Sequence, residues 1–293
     1  MNASPSERKA ALVTLAVGEK HHAVFERVRP TWQAYADRHG HALLAITEPL
    51  DRSAAAQARS PAWQKLLILE PELAGRYERV IWLDADIVIN VDKAPDLLGG
   101  AAPDKIGAVA RDASRPLASA LSLAPGVPDM VEALEFRTGA KPPNASDYYA
   151  AYGLGDPGDF VNTGVLALAP AHHRDLFQRL YRETFGKPDP LNQYEQPHLA
   201  HAILAEGWLH ALDRRFNRLW FEEMCAHYPF LLCHDEHDRG WDSLVHLCVQ
   251  SAFVNSYFLH FAGAIPFLGY WRADIATWRD FAKLFGGPRG EPL

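Results

Sequence analysis

The chain has 293 residues, 48% of them hydrophobic and 22% charged, and a formal net charge of −7. That length buries a substantial core without needing a disulfide or a structural metal. The acidic balance excludes general nucleic-acid binding, which needs a basic surplus to neutralise phosphates.

The N-terminal apolar run is too short and too soon interrupted for a signal peptide, and no stretch approaches the ~18 apolar residues of a membrane span. A soluble, cytoplasmic protein is expected. Ala11 to Val17 is a β-prone run ending at Gly18. From His21 to Arg38 the residues Val24, Phe25, Val28, Trp32 and Tyr35 recur at helical spacing, with Pro30 expected to kink or divide the helix. Ala42 to Ile46 reads as a second strand. Pro61 opens a helical stretch containing Trp63, Leu66, Leu67 and Leu69, and Arg79 to Leu83 forms a third strand. Lys105 to Ala110 is another strand. Residues 112–157 read as an irregular insertion with a helical segment near Met130 to Phe136.

Phe160 to Leu168 resumes the sheet, followed by helices around Ala171–Phe185 and Gln196–Leu204. The three cysteines, Cys225, Cys233 and Cys248, lack the paired spacing of a zinc site and read as reduced, mostly buried thiols. Cys233 to Asp242 is polar. Its run His234-Asp235-Glu236-His237-Asp238 reads as a solvated loop, with a second metal site as the alternative. A last strand spans Tyr257 to Phe261, and Ile275 to Phe285 reads as an amphipathic helix. Alternation of strand and helix predicts an α/β fold with a mostly parallel sheet flanked by helices. No linker divides the chain, so 1–293 is expected to be a single domain.

The run Val80-Ile81-Trp82-Leu83-Asp84-Ala85-Asp86-Ile87-Val88-Ile89 sets two carboxylates in apolar surroundings. Buried and unpaired, they would cost several kcal/mol or become neutral. On extended backbone, residues two apart point to one side, so Asp84 and Asp86 converge where a divalent cation would relieve desolvation and repulsion. Hard oxygen ligands suit Mn²⁺ or Mg²⁺. The plain alternative is a strand-to-turn corner with solvated aspartates. Asp-x-Asp after an apolar strand also fits the nucleophile motif of haloacid-dehalogenase-type phosphatases, with Asp84 as nucleophile.

Several motifs, in order, resemble GT-A glycosyltransferases of the retaining families 8 and 34. They are Pro61-Ala62-Trp63-Gln64-Lys65, Tyr77 through Asp86, Phe160-Val161-Asn162-Thr163-Gly164-Val165, Asn192-Gln193-Tyr194-Glu195-Gln196, Leu212 through Asn217, and His260-Phe261-Ala262-Gly263. The phosphatase motif, by contrast, normally follows the first strand of its core. The resemblance implies a GT-A domain in which 10–110 mainly binds nucleotide and metal, and 111–293 binds donor sugar and acceptor. It implies transfer from a nucleoside diphosphate sugar, UDP-sugar first and GDP-mannose as competitor, to a glycan, lipid-linked or small-molecule acceptor. A non-catalytic nucleotide-sugar-binding protein is the further alternative.

The resemblance makes His260 the third metal ligand after Asp84 and Asp86, although a His on an apolar strand is by itself more often a core residue. Gly263 would let a backbone N–H approach a phosphate. Asn162, with Thr163 and Gly164, would meet the donor sugar, the alternative for Asn162 being a turn residue; Gly164 within a strand marks close approach of a ligand or another backbone. Asp112 resembles a sugar-binding acid, against simple surface solvation. Gln196 would lie near the anomeric carbon and Glu195 would bind hydroxyls, though acids at a helix start are favoured by the dipole alone. Thr14 and Ala16 are candidates for the base and ribose pocket. Lys65 would pair with diphosphate or sugar, unless it is a solvated helix lysine. Relatives usually carry a lysine soon after the His-x-x-Gly; here Ala264 to Trp271 intervene before the nearest basic residue, Arg272.

Overall fold

The computed structural model describes residues 9–112, 145–232 and 240–284. Its first apolar run forms β1 (Ala10–Leu15), and Gly18, at φ 85°, turns the chain into α1 (Glu19–His39). That helix buries Phe25, Val28, Trp32, Tyr35 and Ala36, the stripe its periodicity predicts. It continues through Pro30, so the expected division does not occur. Pro30 and Glu26, the residue whose carbonyl loses its N–H partner, are both exposed, which leaves that carbonyl open to water.

After β2 (Ala42–Ile46) and the short α2 (Ala54–Gln57), Pro61–Leu67 forms a 3-10 helix capped by Ser60, whose hydroxyl accepts from Ala62 N–H. β3 (Arg79–Leu83), β4 (Ile87–Ile89), β5 (Ile106–Ala108) and β6 (Ala110–Asp112) follow. Then come α3 (Ala145–Ala151), β7 (Asp159–Val161), β8 (Val165–Leu168), α4 (Pro170–Glu183), α5 (Gln196–Ala205) and β9 (Leu209–Ala211). The last elements are β10 (Arg218–Leu219), α6 (Trp220–His227), α7 (Trp241–Val254) and β11 (Phe258–His260).

The central sheet has six strands in the order β2-β1-β3-β8-β5-β9. Pairing is parallel at β1–β2, β1–β3 and β5–β9, and antiparallel where β8 lies between β3 and β5. Alternation along the strands feeds two cores. Leu12, Ile81, Leu83, Val165 and Ala167 pack with α1 on one face, while Val13, Val80, Trp82, Leu166 and Leu168 pack with Trp63 and Leu66 on the other. The result is the expected mainly parallel α/β architecture. The connection from β1 to β2 thus crosses one face and that from β2 to β3 the other, so the chain reverses direction beyond the carboxyl ends of β1 and β3. In open α/β sheets such a switch point is where ligands bind.

Three expectations are corrected. Residues Phe160 to Leu168 are not one strand: β7 pairs with β6 in a two-stranded sheet and β8 enters the central one. Lys105 to Ala110 is likewise broken, into β5 and the start of β6. The tail is a 3-10 helix, Trp278–Leu284, with no buried residue, so no apolar stripe holds it as an α-helix. The expected helix at Met130–Phe136, Cys233 and the His234–Asp238 run lie outside the described residues. Cys225 and Cys248 are buried free thiols, pushed by burial up to about 12 and about 11. Among the described residues no helix is long and apolar enough to cross a membrane.

Candidate active site

Asp84 follows β3 at the switch point, where its N–H donates to Gly164 O at 2.8 Å and ties it to the segment entering β8. Asp86 precedes β4, which belongs to a second sheet of order β10-β11-β4. There His260 on β11 is in register with Ile87, and Phe261 N–H donates to Asp86 O at 3.1 Å. Two sheets therefore bring three side chains together. His260 Nε2 lies 3.2 Å from Asp86 Oδ1 and 3.8 Å from Asp84 Oδ2. Burial would raise the Asp86 carboxyl, but His260, by charge and by hydrogen bond, holds it below the usual range, with a smaller contribution from His21 at the start of α1.

The donor set fits a divalent cation. Two carboxylates suit Mn²⁺ or Mg²⁺ and the imidazole favours the borderline Mn²⁺, and adjacent ligands around a cation at ~2.1 Å stand about 3 Å apart. His260 Nε2, however, lies against both carboxylates, and among the described residues no group of three or more His, Cys, Asp or Glu is arranged around a metal position. A cation would enter by parting His260 from the two carboxylates.

Beside this trio Lys65 is buried, at 4% exposure, and is no solvated helix lysine. Its Nζ lies 2.5 Å from Glu195 Oε1 and 3.1 Å from Asp84 Oδ1. It also donates to Thr163 O and Oγ1 at 3.3 and 3.4 Å, and it stands 5.1 Å from the centre of the Trp82 ring. Burial would lower the Lys65 ammonium, yet Asp84 and Glu195 together hold it above the usual lysine range. Glu195 precedes α5, and its side chain makes no cap hydrogen bond but turns to Lys65. Its Oε1 also accepts from Thr163 Oγ1 at 3.2 Å. Trp82 Nε1 donates to Asp84 Oδ1 at 3.0 Å, a second fixed donor on that carboxylate.

Asn162 is buried, and its amide is engaged on both sides. Oδ1 accepts from Gly164 N–H at 3.0 Å and from Asn217 Nδ2 at 2.9 Å, while Nδ2 donates to Gln196 Oε1 at 2.9 Å. Gln196 Nε2 in turn donates to Tyr148 Oη at 3.2 Å. The close approach at Gly164 is by the His260 ring: a Cβ there would stand 2.3 Å from Cε1 and 2.8 Å from Nδ1.

Thr14 and Ala16, fully buried, lie at the carboxyl end of β1, next to the end of β3, and the Thr14 hydroxyl has no hydrogen-bond partner among the described residues. Gly263 adopts φ 66°, the left-handed region a glycine favours, in the turn after His260. Asp112 ends β6 opposite Asp159. Arg272, the nearest basic residue after Gly263, pairs its guanidinium with Asp274 at 3.1 and 2.9 Å. Sequence reasoning assigned no role to Asn217, Trp82 or Tyr148. An Asn in the turn before β10 was the one visible signal, and its partners meet it only on folding.

No family model and no curated protein matches the chain. Solved structures similar to it include a glycosyltransferase involved in glycosylation of the major capsid of PBCV-1, at 15% identity and TM-score 0.49 over 89% of this chain and 100% of that one. The bifunctional glycosyltransferase WbbM is similar at 13% identity and TM-score 0.49 over 89% of this chain, which spans only 47% of WbbM. The galactosyltransferase LgtC, solved with donor and acceptor sugar analogues, is similar at 17% identity and TM-score 0.44 over 96% of this chain and 97% of that one.

Proposed function

We propose that this chain is a metal-dependent glycosyltransferase, moving a sugar from a nucleoside diphosphate sugar to an acceptor with retention of configuration. What carries the reading is the convergence of Asp84, Asp86 and His260 at the switch point of the sheet. Those three residues would hold Mn²⁺ or Mg²⁺, and a cation bound there neutralises the diphosphate as it leaves.

The protein's own groups do the rest. The nucleotide is assigned to the carboxyl end of β1, where Thr14 and Ala16, both fully buried, would form the floor of its pocket. Gly263 presents backbone to a phosphate. Lys65, locked between Asp84 and Glu195, keeps the metal side and the sugar side in fixed relation. Glu195, Asn162, Thr163, Gly164 and Asp112 stand on the sugar side. Gln196, half-buried and oriented by Asn162 at its carbonyl and by Tyr148 at its amide nitrogen, would lie near the anomeric carbon of the donor sugar. UDP-hexose is the preferred donor and GDP-mannose the competitor; the acceptor is a glycan, a lipid-linked sugar or a small molecule.

Calorimetric titration with UDP-, GDP- and dTDP-sugars, with and without Mn²⁺, tests this. One nucleotide should bind in a metal-dependent way, at least about tenfold more weakly in Asp86→Ala. Hydrolysis of phosphate esters with no nucleotide binding would replace the transferase reading by the phosphatase one, with Asp84 as nucleophile.

A further inference from the structure

His260 has two ring nitrogens, and only Nε2 faces the carboxylates. The other, Nδ1, lies 2.9 Å from Asn217 Oδ1, with both residues 1% exposed. Which way round the Asn217 amide stands is fixed by backbone groups whose roles cannot reverse. Asn217 contacts the carbonyl oxygen of Asn162 at 3.3 Å, and a carbonyl only accepts, so the contacting atom is Nδ2. The same Nδ2 meets Asn162 Oδ1, which the N–H of Gly164 independently identifies as the oxygen, because an N–H only donates. Asn217 Oδ1 is therefore left facing the imidazole, and an amide oxygen accepts only from an N–H. Nδ1 must carry the proton.

We propose that Asn217 is a positioning residue that fixes the His260 ring with Nδ1–H turned inward, so that Nε2 is the nitrogen presented to a divalent cation held with Asp84 and Asp86. Metal-bound imidazoles are oriented in this way by a partner on the second nitrogen, and loss of such a partner lowers metal affinity about 10- to 100-fold. The proposal rests on the metal reading above. It adds that the affinity is set by a residue that touches neither the cation nor the carboxylates.

The test uses the full chain and Mn²⁺ alone as probe, titrated calorimetrically into the unmodified protein, His260→Ala, Asn217→Leu and Asn217→Asp. Asn217→Leu should bind Mn²⁺ about 10- to 100-fold more weakly. Asn217→Asp keeps an acceptor against Nδ1–H but loses the donor to Asn162, so it should bind Mn²⁺ more tightly than Asn217→Leu and less tightly than the unmodified protein. Nitrogen-15 spectra of the Mg²⁺-loaded unmodified protein should show His260 protonated at Nδ1, a readout independent of activity and of whether any variant folds. If the unmodified protein takes up no Mn²⁺, or His260→Ala binds it undiminished, the metal reading fails and the proposal with it. If His260→Ala loses Mn²⁺ while Asn217→Leu retains it, or the ring is protonated at Nε2, only the positioning role is overturned.

Discussion

Lys65 occupies a position in which an ammonium survives only through its partners. A buried charge stripped of its counter-charge typically costs 3–5 kcal/mol, and Lys65 neutralises two carboxylates at once. Lys65→Met should therefore lower unfolding stability by about 3–5 kcal/mol, read as a shift in urea midpoint, and Glu195→Gln added to it should recover part of that loss. An unchanged midpoint in Lys65→Met would show that water reaches Glu195. Asp84 and Asp86 were legible as a site because carboxylates inside an apolar run demand an explanation. Lys65 was legible only as one of two alternatives, since a lysine on a helical stretch looks the same whether it is solvated or buried. Asn217 stood in a recognisable motif but its role did not show, because that role consists of contacts to Asn162 and His260 that no local pattern encodes.

Among the elements, the break between β7 and β8 does most to shape the site. Apolar residues on both sides made Phe160 to Leu168 read as one strand. The Asn162 side chain instead takes the Gly164 N–H, and the His260 ring occupies the space a side chain would fill at Gly164. Both causes are tertiary, so periodicity could not reveal them, although the glycine itself signalled close approach. Gly164→Ala places a methyl group against a rigid ring and against Asn162 Oδ1, 2.9 Å away. It should destabilise the protein by about 1–3 kcal/mol, as overpacking does, and weaken Mn²⁺ uptake beyond what the lost stability explains. Melting curves and Mn²⁺ titration on the same sample check both, and undiminished uptake would separate Gly164 from the metal trio. The tail misled for the opposite reason, because its helical pattern buries no residue fully and only Phe281 of Trp278–Leu284 packs against the core.

Across the whole molecule, the order of long strands and helices was readable from alternation, whereas the second sheet was not. Its strands β10, β11 and β4 span two or three residues each, too few for a period to show. The core also carries a pH dependence. Burial, with His172 and Arg79 adding to it, lowers His173 to about 4, and its Nδ1 accepts from Ala169 N–H at 2.9 Å. Burial, with Lys187 and His201 adding to it, lowers His198 to about 4 as well. Both are neutral in the folded state and protonate near 6.5 once unfolded, so their contribution is complete above pH 6.5 and is lost as pH falls toward 4. Stability should drop by about 2 kcal/mol per histidine between pH 7.5 and 5. Urea midpoints at the two values measure it, and His173→Gln should flatten the slope; equal midpoints in the unmodified protein would mean that these rings reach water.

The division of the trio between two sheets has a mechanical side. Asp84 is fastened to the large sheet through Gly164, while Asp86 and His260 are fastened to each other across the small one. A cation gripped by all three would act as a cross-link between two otherwise separately hydrogen-bonded layers. Loading it should slow hydrogen exchange most at β4 and β11, where a clamp on the short strands would be felt first.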